Sequence, residues 1–149
     1  MQIRIGYELI YDCPQSTPMI LTLNVHFTRV SDIIVPDHLV ADPPVLITAY
    51  RDGFGNWCSR IVAPKGQVRL SANAVVKDTG KPDVVAAWFE AYLDGHWYTF
   101  DARNNTPRIG RVLIARGRDA TDVPISNTFG PNTLKSFKVW TEEVGAPGL

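Results

Sequence analysis

The chain has 149 residues, 45% of them hydrophobic, and its fifteen acidic side chains balance its fifteen basic ones. This length suits one domain, or two small ones that share a core, and the hydrophobic content excludes a disordered chain. Zero net charge gives no electrostatic drive toward nucleic acid or membrane surfaces, and it removes one barrier to self-association. Because no apolar run approaches a membrane span and the N-terminus lacks the apolar block of a signal peptide, we expect a cytoplasmic protein.

In the first half of the chain, apolar and polar residues alternate with period two, which predicts antiparallel strands buried on one face. The first strands are predicted at residues 3–11 and 19–27, and the second places His26 on its solvent-facing side. A hairpin is predicted at residues 45–63 around the loop Asp-Gly-Phe-Gly-Asn. A further strand is predicted at residues 68–74.

The second half begins after a polar stretch with Gly and Pro at residues 78–83, which predicts a boundary. Strands are predicted on both sides of Asp94-Gly95, a pair favoured in type I′ turns. Further strands are predicted at residues 111–116 and 133–141, and short helical turns near 104–110 or 123–129. We therefore predict a mainly β fold, an antiparallel β-sandwich or partly closed barrel with little helix, in which C-terminal strands pair with the N-terminal sheet.

Chemical motifs are few. Cys13 and Cys58 are predicted to be free, structural thiols, because a cytoplasmic setting disfavours disulfides. A strand also lacks the helix N-terminus that would lower the pKa of a thiol and make it reactive. The three histidines lack zinc-site spacing, and Asp119 with Asp122 fits a solvated turn better than a cation loop. We expect no metal and no cofactor.

Residues 86–101, AAWFEAYLDGHWYTFD, resemble the His-Ala-Trp-x-Glu hairpin and the Trp…Phe-Asp strand of the bacterial transglutaminase-like family, which includes proteins described as cysteine proteases. Residues 6–13 (GYELIYDC) and 52–58 (DGFGNWC) resemble the β-rich domain that precedes the catalytic core in that family. Residues 101–105 and 117–123 resemble the end of the core.

The resemblance implies a Cys–His–Asp triad that is incomplete here. Asp101 matches the triad acid, Ala86 stands where the family has its His, and the helix that carries the Cys is missing. The expected organisation is an N-terminal β region at 1–80, a seam at 81–87, and C-terminal strands at 88–149 packed with the first region as one domain. Asp101 is then a vestige of the triad, or a residue that caps the turn after its strand.

A triad enzyme loses most of its rate acceleration with its nucleophile or its base, so the sequence predicts a non-catalytic β-domain for binding or assembly. One alternative is a thiol acyl-transfer enzyme or cysteine protease that uses Cys58 with His96 or His38. Another is a shortened piece of a longer transglutaminase-like enzyme.

In the family a helical segment covers the hairpin at residues 86–101, and that segment is missing here. The aromatic side chains of the hairpin are therefore expected to stack across the strands or to form an interface. The residues assigned to a possible interface are Trp88, Phe89, Tyr92 and Trp97. We expect a homodimer or higher homo-oligomer, with a protein or peptide partner as a further possibility, and neither nucleic acid nor membrane as a partner.

Overall fold

The computed structural model describes residues 1–78, 89–100 and 112–145. In chain order the eleven strands of the described residues are β1 Gln2–Cys13, β2 Thr17–Leu21, β3 Ile33–Val35, β4 Val40–Asp42, β5 Thr48–Arg51, β6 Trp57–Ala63, β7 Gly66–Lys77, β8 Phe89–Leu93, β9 His96–Phe100, β10 Ser126–Thr128 and β11 Thr133–Val144. Two 3₁₀ helices, Phe27–Asp32 and Ala120–Asp122, are the helical elements of the same residues.

The strands form two larger antiparallel sheets and one hairpin. The first sheet has the order β11-β1-β7-β3, with β4 also paired to β7, and the second has the order β10-β2-β6-β5. The pair β8-β9 forms a sheet of its own. Because β11 pairs with β1 and β10 with β2, the C-terminal strands join both N-terminal sheets, as the sequence predicted.

The core lies between the two larger sheets. Alternate residues of β1 and β7 point inward, and two of them, Leu9 and Leu70, are almost completely buried. They meet Met19 and Leu21 of β2 and Ile61 of β6 in one apolar cluster. The larger sheets of the described residues are open and face each other, so the fold is an antiparallel β-sandwich rather than a barrel.

Two predicted strands are corrected by the structure. The strand predicted at 19–27 ends at Leu21, although the Thr22 N–H still donates to the Ile125 carbonyl, which is the next position in register beside β10. By His26 the chain has left this pairing, and the His26 N–H donates to the carbonyl of Leu113 instead. The strand predicted at 111–116 is wrong for residues 112–116, which belong to none of the sheets although Val112 and Leu113 are buried. Position 111 lies outside the described residues.

The predicted helical turn at 123–129 is also wrong. Its last part forms β10, and the helical turn falls three residues earlier, where the Asp119 side chain accepts a hydrogen bond from Thr121 N–H at its N-terminus. The turn predicted at 104–110 lies outside the described residues, and the domain boundaries at 80–88 stay a prediction. None of the helices in the described ranges is long and apolar enough to cross a membrane.

Candidate functional site

The hairpin β8-β9 is built as its sequence predicts. Asp94 and Gly95 both adopt positive φ, 48° and 82°, as a type I′ turn requires. The resulting register places Tyr92 directly across from Trp97, and their ring centroids lie 5.2 Å apart at a tilted angle. Such a cross-strand aromatic pair stabilises a hairpin by a fraction of a kcal/mol, about 0.2–1.

Large side chains are exposed on both faces of this hairpin. Tyr92 is 60% exposed and Trp97 is 68% exposed on one face. Leu93 and Tyr98, on the other, are 52% and 47% exposed. The sandwich therefore buries neither face fully, although an isolated two-stranded hairpin is only marginally stable in water.

The predicted site residues divide between described and undescribed positions. Tyr92 and Trp97 form the exposed pair, and Phe89 is the first residue of β8. Trp88, Asp101 and Ala86 lie outside the described residues, as does the seam at 81–87. The triad roles assigned from the family resemblance thus stay predictions.

Both cysteines are free thiols buried in the sandwich, as predicted. Cys13 ends β1, is fully buried, and has its thiol pKa raised mainly by that burial. Cys58 lies inside β6, where its sulfur is 4.0 Å from the Thr22 hydroxyl and 3.8 Å from the Asn56 carbonyl oxygen. No imidazole is among the hydrogen-bonding groups of the Cys58 sulfur within the described residues.

His26 was predicted to face solvent, and this prediction is wrong because the strand that would have exposed it ends five residues earlier. The ring is 1% exposed and caps the 3₁₀ helix Phe27–Asp32. Its Nδ1 accepts hydrogen bonds from the N–H and hydroxyl of Thr28, so the proton sits on Nε2, which donates to the carbonyl of Phe54 at 3.2 Å. Burial, aided by the nearby Arg116 charge, lowers the His26 pKa, while the Phe54 bond and Asp52 act in the opposite sense.

The loop between β5 and β6 is organised by two side chains that sequence patterns did not single out. The Asp52 carboxylate accepts from the backbone N–H groups of Phe54 and Asn56, each at 2.9 Å. The fully buried Asn56 amide donates to Asp52 and to the Arg116 carbonyl, and its oxygen accepts the Arg116 N–H at 2.7 Å. Asn56 thereby joins this loop to a segment sixty positions away, a pairing that no local pattern reveals.

The expected solvated turn at Asp119 and Asp122 is confirmed. Asp119 caps the 3₁₀ helix Ala120–Asp122, and Asp122 pairs with Arg118 at 3.1 Å. Within residues 1–78, 89–100 and 112–145, no group of three or more His, Cys, Asp or Glu side chains is arranged to hold a metal ion.

No protein-family model matches this chain, and no curated protein matches it in sequence. Among solved structures, it is similar to a crystal structure described as a putative cysteine protease from Cytophaga hutchinsonii, with a TM-score of 0.75 and 14% identity. The alignment covers 100% of this chain and 92% of that chain. At this identity the likeness establishes the fold alone.

Proposed function

We propose that this chain is a transglutaminase-like β-domain that acts in binding or assembly rather than in catalysis, and that its partner is a second copy of itself. The observation that carries the proposal is the exposure of the hairpin β8-β9. Its apolar side chains on both faces are between 47% and 68% exposed at Tyr92, Leu93, Trp97 and Tyr98. Large apolar side chains exposed together in this way mark interaction sites in soluble proteins.

The stability of the hairpin supports the same proposal. Within the described residues β8 and β9 pair only with each other, and two strands alone gain little stability in water. A second copy that covers the Tyr92–Trp97 face would remove both rings from solvent. Aromatic residues are enriched in the cores of protein interfaces, because they bury much area for few rotatable bonds.

The state of the thiols supports the absence of catalysis. A cysteine nucleophile needs a thiolate favoured by a helix N-terminus or a neighbouring imidazolium. Cys58 instead is the second residue of strand β6 and only 5% exposed, and burial raises the pKa of the Cys13 thiol, which disfavours its thiolate form.

Sedimentation velocity with matched variants tests the assembly proposal. Trp97→Ser removes a hairpin ring that is 68% exposed, whereas Leu46→Ser removes an apolar side chain that is 85% exposed and lies outside the hairpin. We expect the first variant to sediment as a monomer at concentrations where the wild type and the second variant associate. Equal sedimentation of all three as monomers would refute self-association.

The likeness to a protein described as a cysteine protease favours one second candidate, a thiol enzyme that uses Cys58. Turnover of a glutamine donor or a peptide by the wild type, abolished in Cys58→Ala and retained in Cys13→Ala, would establish it. We expect all three proteins to show only background turnover.

A further inference from the structure

Strand β11 forms one edge of the first sheet. Within the described residues it pairs with β1 alone, on one of its two sides. It is 12 residues long, and none of its side chains is buried. An exposed edge strand of this length presents N–H and C=O groups that can pair with a further strand.

The pairing of β11 with β1 is irregular near its start and regular afterwards. The ladder skips Lys135, the extra residue of a bulge, and is unbroken from Ser136 to Val144. Trp140 is the middle residue of this unbroken stretch. A bulge bends and twists an edge, which hinders pairing at the start of β11, whereas the stretch 136–144 keeps the regular geometry that a new strand needs.

The charges of this stretch are placed symmetrically about Trp140. Lys138 and Glu142 lie two positions to either side of it. Their neighbours across the ladder are Glu8 and Arg4, on the face of β1 that points away from the core, so both charges lie on the outer face of the sheet. Lysine on an edge ordinarily repels other strands, but an antiparallel copy of β11 brings a glutamate to it.

One register of such a copy pairs all of these charges. In an antiparallel pair of identical strands, the two-fold axis passes a residue that lies across from its own copy. An axis at Trp140 places Lys138 across from Glu142 of the second copy, and the same pair forms twice. An axis one residue to either side leaves both charges facing uncharged side chains. An axis at Lys138 or at Glu142 sets like charges directly opposite each other, which is destabilising.

The same register extends an alternating row of charges that already crosses the sheet. Arg69 of β7 lies 2.8 Å from Glu8 of β1, and Glu8 lies 3.7 Å from Lys138 of β11. Glu142 and Arg4 of the second copy would come next in this row. A second copy is favoured over an unrelated strand, because a pattern that is symmetric about one residue is required only for pairing with an identical strand.

From this symmetry we propose that residues 136–144 pair antiparallel with the same residues of a second copy, so that two sandwiches share one continuous sheet. Lys138 of each copy then lies across from Glu142 of the other. On the inner face Val139, which is 59% exposed, lies across from Thr141, and cross-strand pairs of β-branched residues stabilise a sheet. This contact is separate from the hairpin β8-β9 and goes beyond the proposed function.

Pairing at this edge should be weaker than association through the hairpin. The backbone hydrogen bonds that it forms replace bonds to water, so each adds little net free energy. The charge pairs are exposed, and exposed pairs also contribute little. We therefore expect the edge contact above the micromolar concentrations at which the hairpin associates.

Mixing two charge variants tests the proposal. Both are made in the Trp97→Ser chain, which lacks the most important ring of the hairpin contact. Lys138→Glu gives an edge with glutamate at both positions and Glu142→Lys gives one with lysine at both, so each should associate with itself about tenfold or more weakly than the Trp97→Ser parent. An equimolar mixture should recover the association, because every glutamate then meets a lysine.

The measurement is the amide chemical shifts of the ¹⁵N-labelled chains between micromolar and millimolar concentration, at low ionic strength. We expect the shifts of the Trp97→Ser parent to change with concentration, and the changes to be confined to residues 136–144 and their neighbours on β1. Lys135→Glu is the matched control, because it makes the same change of charge at the bulge, outside the paired stretch. This variant should associate like the parent.

Three outcomes would overturn the proposal. The first is that the β11 shifts of the parent do not depend on concentration. The second is equal weakening by Lys135→Glu and Lys138→Glu, which would indicate a general effect of charge. The third is a mixture that associates no better than its two components, which would exclude pairing in this register.

The amide spectrum also reports whether each variant folds. If Trp97→Ser does not fold, the same mixture in the wild-type chain gives the answer, because only the shifts at 136–144 should then depend on the charges. The micromolar mass of the wild type decides separately whether the hairpin associates. Either contact can therefore fail while the other holds.

Discussion

Trp140 lies directly across from Gly6 in the antiparallel pair of β1 and β11, and its indole ring fills the space that a side chain at position 6 would occupy. A Cβ atom on Gly6 would come within 2.5 Å of the ring and within 2.6 Å of the Ala72 carbonyl oxygen on the other neighbouring strand. The indole N–H, which donates to Asn73 at 3.2 Å, holds the ring in this position. The Trp140 ring of β11 thus covers a glycine of β1 and bonds to β7, so it holds these three strands together.

Gly6→Ala should therefore destabilise the sandwich by about 1–3 kcal/mol, the usual cost of overpacking. The ring could move away, but the Ala72 carbonyl belongs to backbone and could not. Urea denaturation measures the effect, and Gly53→Ala is the control because nothing lies within 4 Å of a Cβ atom there. Equal stability of the two variants would contradict the packing described for Gly6.

Asn56→Ala should cost about 2 kcal/mol, because the Arg116 N–H and carbonyl would each lose a partner in a partly buried setting. Asn127→Ala, at an exposed position of β10, is the matched control and should stay close to wild type. Urea denaturation of both variants checks this. If Asn56→Ala lost no more stability than Asn127→Ala, the Asn56 side chain would not be what holds the 112–116 segment in place.

The stability of the protein should fall in mild acid through His26. Its folded pKa is lowered by burial, so below the unfolded value of 6.5 the unfolded chain binds the proton more readily. Above pH 6.5 the neutral ring makes its full contribution to the free energy of unfolding. This contribution is lost as the pH falls from 6.5 to the lower pKa that His26 has in the folded protein. Protonated Nδ1 could no longer accept the Thr28 hydrogen bonds.

Chemical denaturation at pH 7 and pH 5 tests the role of His26. We expect His26→Asn, which keeps an acceptor at the helix N-terminus, to lose less stability between the two pH values than the wild type does. His96→Asn, a change at an exposed site, should retain the wild-type dependence. Parallel pH dependences of the wild type and His26→Asn would exclude His26 as the group responsible.

Cys13 and Cys58 should both react slowly with an aromatic disulfide reagent in the native protein and rapidly once it is unfolded, because each is buried within a sheet. Single Cys→Ser variants assign the rates. Fast native reaction of the thiol that remains in Cys13→Ser would indicate a thiolate at Cys58 and would favour the thiol-enzyme candidate.

Local patterns predicted most of this fold because β1 and β7 are long and buried on one face, so period-two alternation reports their faces directly. Asp94-Gly95 likewise predicted its turn, since the dihedral requirement is local. The short strands β3 and β4, three residues each, carry too few positions for alternation to reveal them.

Predictions from the sequence were wrong, or were not possible, where contacts between distant residues determine the structure. His26 follows an apolar alternation that continues through Val25, yet the chain has already left the sheet to bond with Leu113. The Arg51 guanidinium lies 5.1 Å from the ring centroid of Phe27 and 5.3 Å from that of Trp57, and no spacing in the sequence indicates that Phe27 and Arg51 meet. The exposure of Tyr92 and Trp97 was expected from the family resemblance, in which a helical segment covers this hairpin, and their role at an interface stays a prediction.

The molar mass of the wild-type protein in solution tests the central claim, that the hairpin β8-β9 is an assembly surface, most directly. Light scattering coupled to size exclusion at micromolar concentration should give about 33 kDa or a higher multiple of the 16.6 kDa chain. Trp97→Ser should lower that mass toward the single chain, because it removes the ring that is 68% exposed. A wild type that stays at 16.6 kDa across the concentration range, with Trp97→Ser equally soluble and stable, would contradict the claim.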